Sequence, residues 1–594
     1  MATLTPKQKL IALGEIQFPK YVWYLYACII AAAGLVNVVS LLWARWRRHK
    51  YTSTTTSTTT LKKGIISTSR LPAAILAASR VAAFRWRIPA VHMTLLEVLL
   101  TITYIVVLAC LEFTMTLDYN VQIWGNRAGH LATIQFPLIV ALSGKNNVIG
   151  IITGLSHENL NLLHRMVSRV LMCLVWIHCA GTYVHWLTGA HRDERPWIYA
   201  SWIVAGFISC IAQTILVFFS WGPIRRRFYE SFYMMHMVLI IIILVCTMYH
   251  VHMNDVLFDL YASPYIWPSF LVWGIDRGCR LLRVLLLNSV FKPQKDLGRI
   301  DLITRDTLLI TIKRHIPHAL NWHAGQHMFV SFPTLGLGQS HPFTMASIPR
   351  GDGDEQELTF IARVRNGLTK TIKERILEHG ACEVPVILDG PYGAPADITP
   401  FSTCVFVAGG SGVTYTLPRF EELISALNTK TACARRIVFI WAIRERTHMR
   451  WIVKHLAATA ARVPSHVSLS ASIYITSSSN GVAELTGDGT SRPPSPSEEE
   501  DVEKTGAVDA DDASSIDGLD VKFDRLSVFT AKPDVKKILE DEVGASEGPV
   551  SVDVSGPDSL LAATRSALSS GFAGPLSVLK GAPTVQLNVE AFSF

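Results

Sequence analysis

The stretch HRMVSRVLMCLVWIH, residues 164–178, begins and ends with a histidine and is mostly apolar in between. A run of this kind is typical of a membrane helix, where a polar side chain is costly and usually has a function. His164 and His178 are fourteen residues apart, or nearly four helical turns. They therefore lie on one helix face, about 21 Å apart along the axis.

A second apolar stretch, HMVLIIIILVCTMYH at 236–250, repeats this spacing with His236 and His250. One predicted span separates the two stretches, so they run parallel, with His164 level with His236 and His178 level with His250. Two facing imidazoles suit a six-coordinate haem iron. A lone membrane histidine often only bonds a neighbouring helix, but the matched spacing favours metal ligands. The four histidines predict two stacked haems.

Other polar residues near these stretches have less specific interpretations. Three arginines are candidate partners for haem propionates. Arg165 and Arg169 lie beside the pair of His164 and His236, and Arg127 lies near the outer surface. Positive charge that flanks a span explains the first two equally well. His185, His191 and His252 are expected at the outer surface, to meet an electron acceptor or as ordinary interfacial residues.

The composition indicates a membrane protein with a soluble part. Of 594 residues, 49% are hydrophobic and only 17% are charged. The net charge of +8 is modest, and Lys and Arg cluster beside apolar runs, so no nucleic-acid surface is expected. The ten cysteines include no Cys-x-x-Cys pair, which argues against a disulfide framework or a zinc site.

Seven apolar segments are long enough to cross a bilayer. The third is interrupted by SGKNN, and its second half is re-entrant in an alternative interpretation. Basic clusters after the first, fifth and seventh segments and before the second place the N-terminus outside and everything after about residue 290 in the cytosol. The segments are 21–43, 93–113, 131–153, 165–187, 199–220, 233–253 and 266–288.

From about residue 296 the pattern changes to short, partly alternating strands, then to a buried strand and a helix joined by glycines. Residues 477–519 are rich in Ser, Pro, Gly, Asp and Glu and predict a disordered insertion. The predicted divisions are an N-terminal transmembrane helix and linker (1–92), a transmembrane haem domain (93–290), a β-barrel (296–400) and an α/β domain (401–594).

Two motifs fall in this soluble part. VAGGSGVT, 407–414, joins a strand to a helix, where glycines let backbone amides approach a pyrophosphate; a plain connection would look similar. HPFTMAS, 341–347, follows barrel-like strands. With these motifs and ITGLSHENLNLLHR in the membrane half, the chain from about residue 95 onward resembles the fungal ferric reductases, relatives of the NADPH oxidases.

The resemblance implies a fold, cofactors and site residues. The fold is a multi-pass α-helical membrane domain with a bis-haem core, followed by a cytosolic ferredoxin-reductase-like module with a β-barrel FAD domain and an α/β NADP domain. The cofactors are FAD, NADPH and two haems b. Arg444 is the candidate for the 2′-phosphate of NADPH. FAD is expected on His341, Pro342, Phe343, Thr344 and Ser347, and the nucleotide on Gly409, Gly410, Ser411, Gly412, Val413 and Thr414.

Two further residues are expected near the reacting rings. The family commonly has Cys-Gly-Pro close to the nicotinamide, whereas this chain has Ser555 in VSGPDSLL, a hydroxyl in place of a thiol. Phe594, the last residue, matches a terminal aromatic that lies on the flavin ring in such reductases. A frayed terminus is the alternative for Phe594.

The implied activity is an NADPH-dependent transmembrane ferric-chelate reductase that supports iron uptake. Electrons would pass to ferric or cupric ions through an inner haem on His164 and His236 and an outer haem on His178 and His250. A superoxide-producing NADPH oxidase and a non-enzymatic scaffold or transporter are the alternatives. The expected surroundings are lipid of the plasma membrane, with the vacuolar membrane left open. A multicopper ferroxidase and an iron permease are open as partners.

Overall fold

A computed structural model of the protein describes residues 6–53, 66–88, 93–114, 121–188, 199–258, 263–288, 297–316, 320–336, 339–349, 355–477 and 526–591. The chain divides into two units, one with residues 1–43 and 96–283 and the other with 44–95 and 284–593. The predicted insertion beyond Ser477, His191 and Phe594 lie outside the described residues.

The N-terminal half of the described chain is helical, because its apolar runs can satisfy their backbone groups in lipid only within helices. Two short strands, β1 (Arg87–Ile88) and β2 (Met93–Thr94), pair antiparallel. The helices are α1 (Pro6–Ser53), α2 (Leu71–Arg80), α3 (Leu95–Phe113), α4 (Val121–Thr133), α5 (Phe136–Ser143), α6 (Val148–Thr153), α7 (His157–Thr188), α8 (Ser201–Phe219), α9 (Gly222–Arg227), α10 (Tyr229–Phe258) and α11 (Trp267–Leu287).

Among the described residues, five helices are long and apolar enough to cross a membrane, which confirms a multi-pass protein but not seven such helices. The orientation inferred from Lys and Arg remains a prediction. The five candidate spans are Gln17–Trp46, Leu95–Phe113, Asn159–Thr188, Ser201–Phe219 and Tyr229–Asp255.

The third predicted span is broken into α4, α5 and α6. The interruption at SGKNN is present, and Asn147 begins α6 by accepting hydrogen bonds from the amides of Ile149 and Gly150. A second break lies at residues 134–135, just before Pro137 at the start of α5. Proline has no amide hydrogen to continue a preceding helix. The prediction of one continuous span over 131–153 is therefore wrong.

The seventh predicted span forms α11 but is too charged to count among the five. Its Asp276 is 6% exposed and accepts a 2.9 Å hydrogen bond from the amide of Asn146 in the SGKNN loop. Arg283 donates to the side chain of the same asparagine. The charges of α11 thus bind a polar loop within the helical unit, which explains their presence in an otherwise apolar helix.

The first part of the C-terminal half contains two antiparallel sheets that enclose one core. The sheets have the strand orders β7-β4-β3-β8 and β6-β5-β9. Alternating positions point inward, so Leu308, Ile310 and Ile312 of one strand are fully buried. The elements are β3 (Leu297–Thr304), β4 (Thr307–His315), β5 (His327–Ser331), β6 (His341–Thr344), β7 (Glu355–Arg363), α12 (Leu368–His379), β8 (Cys382–Pro385) and β9 (Ile387–Tyr392).

The last part is a parallel six-stranded sheet in the order β13-β12-β11-β10-β14-β15. The strand order reverses between β10 and β14, and ligands of such sheets bind outside the carboxyl ends of the strands at that point. The elements are β10 (Thr403–Gly409), α13 (Val413–Asn428), β11 (Arg436–Ile443), α14 (Val453–Ala461), β12 (Ser468–Ile475), β13 (Leu526–Phe529), α15 (Val535–Ala545), β14 (Val550–Gly556), α16 (Asp558–Ser569), α17 (Pro575–Leu579) and β15 (Val585–Ala591).

Candidate cofactor sites

The structure brings the four membrane histidines together in two pairs. His164 and His178 lie on α7, and His236 and His250 lie on α10. The ring centroids of His164 and His236 are 6.4 Å apart, and those of His178 and His250 are 6.2 Å apart. Each pair therefore presents two imidazoles to one narrow gap.

Backbone carbonyls orient three of these rings. The Nδ1 atoms of His164, His178 and His250 lie 2.9, 2.7 and 2.8 Å from the carbonyl oxygens of Ile139, Gly125 and Trp202. A carbonyl only accepts, so each Nδ1 carries the hydrogen and each Nε2 keeps its lone pair for a metal. The buried Nδ1 of His236 has no such partner among the described residues.

Two glycines on neighbouring helices make room for the rings of His178 and His250. A Cβ atom added to Gly129 of α4 would lie 2.7 Å from Nδ1 of His178, and one added to Gly206 of α8 would lie 2.8 Å from Nδ1 of His250. Sequence reasoning missed both residues. For Gly129 the available signal was GNRAG, residues 125–129, because a Gly-x-x-x-Gly pattern lets membrane helices approach closely.

The pairs fit an iron held between two imidazoles. A metal–imidazole bond is about 2.0–2.1 Å long, so two such bonds fit between rings whose centroids are 6.2–6.4 Å apart. The surroundings are apolar, because Leu171 and Leu174 of α7 and Ile243 and Leu244 of α10 are buried in the same core. The outer pair offers two oriented imidazoles and the inner pair one, His164, with His236 facing it, in surroundings that suit bis-histidine ligation of haem.

The arginines near the histidines have different environments. Arg127 is 1% exposed, donates to the carbonyl of Thr114 at the end of α3, and lies 4.9 Å from the ring of Phe18. Its charge thus stabilises a helix C-terminus, where cations are favoured. Arg165 is half-buried and Arg169 is exposed. Their role toward propionates remains a prediction.

The remaining histidines predicted for the outer surface lie near the ends of their helices. His185 is in the last turn of α7. His252 is exposed and lies two residues beyond His250 on α10. These positions leave both at the same end of the helices as the pair of His178 and His250.

The HPFT motif forms the short strand β6. It pairs with β5 so that His341 faces Val330 and Thr344 faces His327. Thr344 is 7% exposed, and the ring of Phe343 packs partly on the barrel core, 6.5 Å from that of Phe360.

Ser347, the fifth predicted flavin residue, is bonded to the barrel itself. Its hydroxyl donates to the carbonyl of Glu357 and accepts from the amide of Thr359, both at 3.1 Å. This side chain fixes the segment that follows the HPFT strand, and Pro342 lies within that strand opposite Phe329. The motif is therefore held in a defined register on the barrel.

The glycine turn lies at the point where the strand order reverses. β10 ends at Gly409, a single turn of 3-10 helix covers residues 410–412, and α13 begins at Val413. Gly410 has a φ of +55°, which favours glycine. A Cβ on Gly412 would overlap the carbonyl oxygen of Ser555. The amides of Ser411, Val413 and Thr414 thus lie at a helix N-terminus, which suits a pyrophosphate.

Ser555 is the next-to-last residue of β14 and lies beside this turn. It is fully buried, and its hydroxyl donates a 3.0 Å hydrogen bond to the carbonyl of Glu590 on β15. The hydroxyl is therefore bonded to the neighbouring strand of the sheet. The prediction for Phe594 lies outside the described residues.

Arg444 directly follows β11 and is exposed at the carboxyl edge of the sheet. Its own carbonyl accepts hydrogen bonds from Ser477, which follows β12. The guanidinium is therefore accessible at the edge where the glycine turn also lies, as a 2′-phosphate partner must be.

A partly buried cluster joins this edge to the barrel and was not found from the sequence. Nε1 of Trp451 donates to Thr304 at 3.2 Å, and His448 lies 3.5 Å from the carboxylate of Asp306, which also binds Arg363. Burial lowers the pKa of His448, and the charge of Asp306 partly offsets this. The contacts hold the segment after β11 against strands β3 and β4.

Three family models match successive parts of the chain. They are a ferric reductase like transmembrane component at residues 128–247, an FAD-binding domain at 294–396 and a ferric reductase NAD binding domain at 401–569. His164, His178 and His236 lie within the first match, and His250 lies three residues beyond it. The chain thus has FAD-binding and NAD-binding domains, and its transmembrane domain implies haem.

Curated relatives come from fungi. A probable cell surface ferric reductase of Aspergillus oryzae is 28% identical over 353 residues, covering 56% of this chain and 44% of the relative. The ferric/cupric reductase transmembrane component 1 of Candida albicans is 27% identical over 440 residues, covering 72% and 52%. The chain therefore spans about half the length of the relatives it matches.

Among solved structures, a flavohemoglobin from Malassezia yamatoensis with bound FAD and heme aligns with a TM-score of 0.34. It is 14% identical and covers 79% of this chain and 95% of its own. Similarity at this level supports no argument about function. The family matches confirm the predicted order of a helical membrane domain followed by a ferredoxin-reductase-like module with FAD and NAD domains.

Proposed function

Because this chain belongs to the ferric reductase family, we propose that it is a transmembrane ferric-chelate reductase. It takes reducing equivalents from cytosolic NADPH and delivers electrons to ferric or cupric ions on the far side of the membrane. The observation that carries this proposal is the double pair of histidines on α7 and α10. The fourteen-residue spacing separates the two levels by about 21 Å, which is most of the thickness of the hydrocarbon core.

The residues of the helical unit would hold two haems. His164 and His236 face the inner gap, and His178 and His250 face the outer one. The carbonyls of Gly125 and Trp202 fix the tautomer of the outer ligands, which makes each Nε2 the donor toward iron. Gly129 and Gly206 let the neighbouring helices close around these rings.

The residues of the soluble module would bind the other two cofactors. The turn from Gly409 to Gly412 and the N-terminus of α13 receive the pyrophosphate of the nicotinamide nucleotide, with Arg444 at its 2′-phosphate. The strand His341–Thr344 holds the flavin. When bound, FAD converts a two-electron hydride donor into one-electron steps, and haem iron carries single electrons.

The cellular setting follows from the same proposal. A reductase of external ferric chelate belongs in the plasma membrane, and the Aspergillus relative is described as a cell surface protein. Its product is ferrous iron for uptake, so a multicopper ferroxidase with an iron permease is the proposed kind of partner.

The test uses the full chain in lipid nanodiscs with NADPH and a bulky ferric chelate. About two ferrous ions should form for each NADPH consumed, because the hydride carries two electrons and each ferric ion takes one. NADPH oxidation without formation of ferrous iron would show that the ferric chelate is not the electron acceptor. A protein without haem absorbance that leaves NADPH untouched would favour a scaffold or transporter.

The flavin site gives a separate prediction. Thr344→Ala should weaken FAD retention about tenfold, the effect of losing one buried polar contact, and should leave haem content unchanged because the histidines are in the other unit. Phe343→Ala should do the same and also lower barrel stability, since its ring packs on the core. FAD and haem are measured by absorbance after purification. Thr371→Ala on the exposed face of α12 is the matched control. Loss of haem with FAD retained would contradict the division of roles.

A further inference from the structure

Residues 66–88, between the first two predicted spans in sequence, are folded against the end of the nucleotide domain. They contain α2, and Ala74 and Ala77 of that helix are buried against Val578 of α17. The amide of Ser67 donates a 3.2 Å hydrogen bond to the carbonyl of Leu579. We call residues 66–88 the docking arm.

Three arginines of the docking arm donate to backbone carbonyls of the nucleotide domain. Arg70 lies 3.3 Å from the carbonyls of Val578 and Ala582, and Arg80 lies 3.3 Å from that of Val585. Basic residues here are also expected as the positive charge that flanks a membrane span. Their contacts show a second and more specific use.

Arg85 is the most deeply placed of the three. It is 2% exposed, and its guanidinium donates to the carbonyls of Leu568 at 3.0 Å, Ala573 at 3.4 Å and Val585. Leu568 is in the last turn of α16, where a cation is favoured by the helix dipole. Burial, and to a lesser extent Arg80, lowers the pKa of Arg85 to about 10, so the side chain stays charged at neutral pH.

The carbonyl of Val585 connects this contact to the nucleotide site. Val585 begins β15, the edge strand of the sheet, which pairs with β14 so that Glu590 faces Ser555. Ser555 donates its hydroxyl to Glu590, and its own carbonyl packs on Gly412 of the glycine turn. A shift of β15 would therefore move Ser555 and the turn together.

We propose that the docking arm holds β15 in register and that Arg85 is a positioning residue for the nicotinamide nucleotide site. The chain between two membrane helices is then part of the reductase module. The role of the arm in holding β15 follows from the contacts alone. The expected change in KM for NADPH also rests on the proposed function.

The test compares the full chain with Arg85→Gln, Arg85→Lys and the control Arg375→Gln, an exposed arginine on α12. Arg85→Gln should speed amide hydrogen exchange in residues 585–591 by about tenfold or more and raise KM for NADPH by about tenfold. KM for the ferric chelate and the haem and FAD contents should not change. The exchange rate and the KM for NADPH of Arg85→Lys should lie between those of wild type and Arg85→Gln, because an ammonium keeps the charge but lacks the second donor arm of a guanidinium.

Each other outcome has a defined meaning. Exchange and NADPH kinetics equal to those of the control would overturn the inference. Loss of all cofactors in both Arg85→Gln and Arg85→Lys would also overturn it, because that result would indicate a general role in folding. A wild-type chain that does not oxidise NADPH contradicts the proposed function instead, while the exchange measurement still decides whether the arm docks.

Discussion

Replacing His164 or His236 with alanine should remove the inner haem and lower reduction of external ferric chelate more than a hundredfold. In the proposed arrangement each ring supplies one of the two ligands of the inner haem, and the ring centroids are 6.4 Å apart, too far for one ring to replace the other. A one-electron path with a missing carrier has no alternative route through roughly 21 Å of apolar protein. NADPH oxidation with a soluble dye that accepts electrons from flavin should continue, because the flavin and nucleotide sites are in the other unit.

The measurement is the haem absorbance of the purified variants, read together with both activities. His252→Ala is the matched control, since His252 lies on the same helix as His236 but is exposed and two residues beyond His250. The control should keep both haems and the dye-linked NADPH oxidation. A His164→Ala protein with the full absorbance of two haems would show that these residues are not the ligands.

Gly206→Val should remove the outer haem while the inner one stays. A Cβ at this position lies 2.8 Å from Nδ1 of His250, so the ring must leave its place and lose its hydrogen bond to Trp202. The absorbance of bound haem should fall by about half, and external ferric reduction should fall by more than about tenfold. Haem content, spectral form and ferric reduction are compared with wild type.

Gly274→Val on α11 is the control for a glycine-to-valine change in a helix of the same unit, because a Cβ there meets nothing within 4 Å. That variant should retain both haems. Two intact haems in Gly206→Val would mean that the packing of α8 on His250 does not decide ligand geometry. Loss of both haems would mean that the two sites are not independent.

The local features of this molecule were predictable from the sequence. The spacing of His164 and His178 fixes their common face through the helical period alone, and the same holds for His236 and His250. The glycine turn after β10 was visible because a strand, glycines and a helix follow one another within a few residues. Such patterns need no knowledge of which elements become neighbours.

Features that depend on distant contacts were not predictable in this way. The charges of α11 are stabilised by Asn146, which is 130 residues from Asp276. Arg85 binds carbonyls some 483 to 500 residues away. The basic segment around it looks in sequence like the ordinary positive flank of a membrane span. The break before α5 has a local signal in Pro137, but the apolar run around it favours one continuous span.

We propose that electrons leave the protein at the outer haem, which His178 and His250 would hold, and pass to a metal chelate. The most direct measurement is ferrous iron formed by intact cells from a ferric chelate that cannot cross the membrane, with superoxide dismutase present, and with cells lacking the protein as the blank. We expect ferrous formation that depends on the protein and is unchanged by the dismutase. Abolition of the signal by the dismutase, with superoxide produced in its place, would contradict the account and identify an oxidase.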